Sequence, residues 1–232
     1  MNPKHLFADE RLGFGCVYCG RAPNTRDHVP SRVLLDDPLP DNLPVVPACN
    51  ECNNGFSTDE EYFACFLECV LTGATSPSDC RRENVKRKLS EKPLLASRVL
   101  SSAQNIDGGL VWTPEVGRVQ SVVLKLARGH AAYELGTPQL DEPETIEFVP
   151  LSTLSPKQRA DFEGVDAGGL RGWPEIGSRA FFRACGAPPF NDQCGPWITV
   201  QPGRYRYSVD EHGGVTVRIV LADYLACRIV WS

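Results

Sequence analysis

The chain has 232 residues, 42% of them hydrophobic and 23% charged, which is enough to bury a core and ordinary in its balance. It has no apolar run of the roughly 18 residues that span a bilayer, and its opening, MNPKHLFADERLGFG, carries no signal-peptide core, so we expect a cytoplasmic protein without a membrane partner. A net charge of −5 argues against a protein that holds nucleic acid by bulk electrostatics alone.

Two Cys-x-x-Cys pairs lie near the start. Cys16-Val17-Tyr18-Cys19 is followed by Gly20, which tolerates the positive φ of a tight turn. Residues 24–29 (NTRDHV) read as a short strand that Pro30 ends. Three prolines and the acids Asp36, Asp37 and Asp41 make residues 33–46 a loop, leading into a second short strand at 43–46. Cys49-Asn50-Glu51-Cys52 then opens a helix, whose dipole favours thiolates. Ser57-Thr58-Asp59-Glu60 is a capping box, and Tyr62, Phe63, Phe66, Leu67, Val70 and Leu71 continue at helical spacing until Thr72-Gly73.

Residues 79–100 carry seven Lys/Arg against three Asp/Glu and are read as helical on either side of Pro93, as either a solvated face or a phosphate contact. Glycines around Trp112 suggest a loop or hairpin, residues 117–135 a helix weakened by Gly129, and 144–149 a strand. Ser155-Pro156 opens a short helix. Residues 170–196 are rich in Gly and Pro. Three alternating stretches, 197–208, 215–221 and 224–231, form an antiparallel meander with turns at His212-Gly213-Gly214 and Ala222-Asp223. The expected fold class is α+β. Its parts are a metal-bearing module at 1–73, a basic helical connector at 74–104, and an α+β domain at 105–232 that ends in the meander.

Ten cysteines in a reducing compartment point to metal binding before disulfides. Cys16, Cys19, Cys49 and Cys52 form two close pairs separated by a 29-residue spacer, long enough for a two-stranded hairpin between the ligand pairs. Knuckle, hairpin and ligand-bearing helix make a treble-clef arrangement around a structural Zn²⁺, whose four thiolates leave no open position for catalysis. The other six cysteines are read as small buried hydrophobes, and His130 as a packed helix residue. His28 is not needed as a fifth ligand. Preceded by Asp27, and with Asn53 brought in from the helix, it offers a base and two oxygen donors, the parts a phosphodiesterase needs.

In these residues the chain resembles the HNH endonuclease family: C-x2-C-G, then DHVP, then DNL, then C-x2-C-N, over residues 16–57. The resemblance implies a ββα-metal module with the zinc clamping hairpin to helix. It implies that His28 is the general base, Asn42 the residue that orients it, and Asp27 and Asn53 the ligands of a catalytic Mg²⁺ or Mn²⁺. The last position is Asn, giving an H-N-N pattern, and Phe56 stands where the family often has Lys. Asp59, Glu60 and Glu61 are read as helix-start acids, with a place in the metal shell as the alternative. Residues 1–70 hold five Lys/Arg against eleven Asp/Glu, so phosphate contacts would come from residues 79–100 or from a partner. The expected function is a metal-dependent endonuclease acting on nucleic acid, DNA before RNA, with a possible protein partner at the C-terminal domain. The alternative is a non-catalytic zinc module that binds nucleic acid or protein.

Overall fold

The computed structural model describes residues 15–164, 174, 176–186, 197–211 and 213–232. In chain order the elements are β1 (Thr25–His28), β2 (Val45–Ala48), α1 (Asn50–Gly55), α2 (Ser57–Thr72), α3 (Glu83–Glu91), α4 (Pro93–Leu100), β3 (Ala103–Ile106) and β4 (Gly109–Trp112). They continue with α5 (Val116–Leu135), β5 (Thr145–Pro150), α6 (Pro156–Glu163), α7 (Arg179–Ala184), β6 (Ile198–Gln201), β7 (Tyr205–Glu211), β8 (Val215–Leu221) and β9 (Leu225–Trp231). Helix and sheet are mixed, as expected of an α+β chain. The expected turn residue His212 and the cysteine Cys194 lie outside the described residues. Among those residues no helix is long and apolar enough to cross a membrane.

The chain divides into two units, one formed by Met1–Asn54 with Leu124–Ser232 and the other by Gly55–Val123. The first contains the five-stranded sheet in the order β5-β9-β8-β7-β6, antiparallel throughout. Ala222, Asp223 and Tyr224 make the three-residue turn from β8 to β9, the first two at positive φ. Strand alternation puts Tyr205, Tyr207, Val217, Ile219, Cys227 and Ile229 on one buried face.

Helix α5 meets that sheet with polar groups as well as apolar ones. His130 is fully buried, its ring stacked 3.6 Å from Tyr207 and its Nε2 2.8 Å from the Tyr205 hydroxyl. One turn on, the buried Glu134 accepts from the Tyr207 hydroxyl at 2.6 Å and from Arg183 Nη1 of α7 at 2.8 Å. Both Glu134 oxygens are thereby compensated, as apolar surroundings require, whereas His130 Nδ1 is buried with no hydrogen-bond partner among the described residues.

Burial holds the His130 imidazole neutral, lowering its pKa to about 3. Unfolding returns it to the ordinary value near 6.5, so below that pH the unfolded chain takes up a proton that the folded chain refuses. Stability is therefore expected to fall as pH drops from about 6.5 toward 3, by up to about 1.4 kcal/mol per unit. Denaturant melts of wild type and His130→Gln at pH 7.5 and pH 5 check this, the variant losing less between the two.

Gly129 lies in the same part of α5 because nothing larger fits. A Cβ there would stand 2.6 Å from Val29 Cγ2, just past the end of β1. Valine cannot swing aside, being β-branched and buried. Gly129→Ala is expected to lower stability, since overpacking costs about 1–3 kcal/mol against the roughly 1 kcal/mol that alanine returns in helix propensity. Adding Val29→Ala should reverse the overpacking part, as a double-mutant cycle of melting temperatures would show.

In the second unit α2 buries Tyr62, Phe63, Phe66 and Leu67, and Gly73 closes it in the left-handed conformation. The buried Glu68 carboxylate receives the backbone amides of Arg81 and Arg82 at 2.9 and 3.0 Å, just ahead of α3. Of the basic residues in 79–100, Lys88 and Lys92 pair with Glu61, and Lys86 pairs with Glu83. Arg118 holds Asp59 at 2.6 Å. Asp59 and Glu61 thus have cationic partners inside their own unit.

Candidate metal centre and active site

Local backbone bonds shape the first cysteine pair. The amides of Cys19 and Gly20 turn back onto the Cys16 carbonyl at 3.3 and 2.8 Å, and Gly20 takes φ 74°. The Val17 amide bonds the Pro47 carbonyl of β2, and the Asn24 side chain accepts the Asn50 amide at the head of α1. Strands β1 and β2 pair antiparallel, with Asp27 opposite Val46 and His28 opposite Val45. The second cysteine pair thus arrives beside the first.

The ligand atoms of Cys16, Cys19, Cys49 and Cys52 all lie within 4.8 Å of one another. A tetrahedral zinc with bonds of about 2.3 Å has sulfur–sulfur edges of about 3.8 Å; Cys19 and Cys49 sulfurs are 3.7 Å apart. The donor set and its spacing fit a structural metal such as zinc. The Cys52 amide donates to Cys49 Sγ at 3.4 Å, and Arg21 Nε donates to Cys19 Sγ at 3.4 Å. Burial raises the Cys16 thiol. Burial works the same way on Cys19, but hydrogen bonds led by the Arg21 guanidinium outweigh it and hold that thiol at about 6.

The residues expected to do chemistry are placed less uniformly. Asp27 is 8% exposed, and its Oδ2 accepts the Tyr18 hydroxyl at 2.9 Å and Lys125 Nζ at 2.7 Å. Lys125, on α5 and 2% exposed, also reaches Ser31 Oγ at 3.2 Å and lies 5.8 Å from the Tyr18 ring centre. His28 is half-buried at the end of β1. Burial lowers its pKa, and Arg32 and Lys125 add to that against the opposing pull of Asp27. Its imidazole is neutral at neutral pH. Asn53 spends its Nδ2 on Thr25 Oγ1 and the Arg26 carbonyl, at 3.3 and 3.2 Å, which ties α1 to β1. Asn42 is exposed in a turn, with no side-chain hydrogen bond among the described residues.

Sequence reasoning missed Tyr18, Ser31 and Lys125. A signal for the last existed: Lys125 is a lone cation in the apolar run Val122–Ala127 written VVLKLA, where a solvated residue would be out of place.

No family model, no curated protein and no solved structure matches this chain.

Proposed function

We propose that β1, β2, α1 and the four-cysteine centre form a zinc-stabilised ββα module of HNH type, and that His28 makes it an endonuclease hydrolysing phosphodiester bonds, with DNA the expected substrate. The observation that carries this reading is the state of His28: a neutral, half-buried imidazole at the end of a strand that the metal centre and Asn53 hold in place. A neutral imidazole near pH 7 can accept a proton from water. The water oxygen then forms its bond to phosphorus, and the bond to the 3′-oxygen breaks. A rigid hairpin serves this step because a base must stay within hydrogen-bond reach of the attacking water. The free thiols favour a reducing, cytoplasmic setting.

His28→Ala is expected to abolish nicking of plasmid DNA, a loss of roughly a hundredfold or more, while zinc content stays as in wild type. Equal activity in the two proteins would refute the reading.

One observation favours the alternative, a non-catalytic zinc module that binds nucleic acid or protein. Asp27 already has a cation and a hydroxyl on its Oδ2. DNA binding without cleavage in wild type would select it.

A further inference from the structure

The resemblance seats a divalent ion on Asp27 and Asn53, and these residues do not fit one. Asp27 Oδ2 is taken by Lys125 Nζ at 2.7 Å and by Tyr18 at 2.9 Å, inside the fold. A doubly charged ion on that carboxylate would meet the repulsion of the ammonium at close range, inside the fold where water screens it little. Asn53 has turned its amide nitrogen to the hairpin, leaving one neutral oxygen, whereas magnesium and manganese prefer several oxygen donors, carboxylates among them.

The other face of β1 has a different composition. Strand alternation puts Thr25 and Asp27 on one face and Arg26 and His28 on the other. The contacts agree on the first face, Thr25 with Asn53 and Asp27 with Lys125. Arg32 begins the short 3-10 turn Arg32–Leu34 that follows, close enough for its charge to act on His28. Arg26 is half-buried and Arg32 exposed, and among the described residues neither guanidinium has a hydrogen bond or ion pair. Planar guanidinium groups match phosphate oxygens in pairs of hydrogen bonds and carry charge at any working pH.

We propose that Lys125 closes Asp27 to divalent cations and that Arg26 and Arg32 hold the scissile phosphate beside His28, so that hydrolysis by this chain runs without a divalent ion. This rests on the nuclease reading. Water gives its proton to the His28 imidazole as its oxygen bonds to phosphorus, and the 3′-oxygen departs with a proton from solvent. The two guanidinium groups neutralise the non-bridging oxygens, the work otherwise given to the ion. Lys125 acts through Asp27 and is a positioning residue.

The test uses the full zinc-loaded chain in buffer freed of other divalent ions. Binding of a short DNA duplex is followed by fluorescence anisotropy, plasmid nicking by gel, and Mn²⁺ binding by electron paramagnetic resonance. Wild type is expected to nick DNA at a rate that added Mg²⁺ leaves unchanged, and to bind no Mn²⁺. Arg26→Gln/Arg32→Gln is expected to weaken duplex binding roughly tenfold or more, with circular dichroism as in wild type. Should the double variant misfold, Arg32→Gln alone carries the same comparison. Stoichiometric Mn²⁺ on wild type that Asp27→Asn removes would overturn the proposal, as would duplex affinity unchanged by loss of the arginines. Absence of nicking in every buffer sinks the nuclease reading instead, and the affinity arm still decides whether the arginines form a phosphate site.

Discussion

Replacing Lys125 with methionine is expected to lower the free energy of unfolding by about 3–5 kcal/mol, the cost of leaving a buried charge without its partner. The methionine side chain fills nearly the same volume, so packing is little changed. What is lost is the ammonium 2.7 Å from Asp27 Oδ2, the bond to Ser31, and the cation that makes a carboxylate tolerable at 8% exposure. Tyr18 alone cannot replace that charge. Asp27→Asn/Lys125→Met should recover most of the loss, because a neutral amide needs no counter-charge and can still accept the Tyr18 hydroxyl. Urea titrations of wild type, both single variants and the double variant give the coupling energy directly. A single-variant loss below about 1 kcal/mol would place the pair in the class of solvent-screened surface bridges.

Loss of the metal centre is expected to have an effect as large. The purified chain should carry about one zinc, and Cys49→Ser should carry almost none, since one missing thiolate opens a four-ligand structural site. The strands it braces are four residues each, and a two-stranded hairpin of that size is not stable alone in water. Metal analysis together with hydrogen exchange at residues 16–54 checks the result. Exchange in β1 and β2 should accelerate in the variant far more than exchange in β7, β8 and β9, whose cross-strand pairing does not involve Cys16, Cys19, Cys49 or Cys52. A Cys49→Ser protein with full zinc would remove the centre from consideration.

Much of the fold was legible because the signals are local. The 3.6-residue spacing marked α2, although its N-cap is Phe56 and not the expected Ser57; Ser155-Pro156 marked α6, and Ala222-Asp223 marked the last turn. The spacing of Cys16, Cys19, Cys49 and Cys52 carried the metal centre for the same reason, since thiols two residues apart must share a turn. Contacts between distant stretches were not legible. Nothing in residues 144–149 says that they pair with β9, the last strand. The change of composition at 73–105 falls inside the unit Gly55–Val123, because charge on helix faces reports solvent contact and not the limits of a unit. Lys125 was hidden by the same rule: a lysine reads as solvated unless its partner is known, and its partner lies almost a hundred residues earlier. The candidate site was legible in composition, then, and not in the pairing that gives Asp27 its state.

Gly129 and Val29 also set a constraint on inheritance. The two positions share one volume, with 2.6 Å where a methyl would go. A lineage could enlarge position 129 only after shrinking position 29, so the two should vary together across descendants of this chain. Position 29 follows the candidate base directly, so each exchange would also move His28 relative to α5.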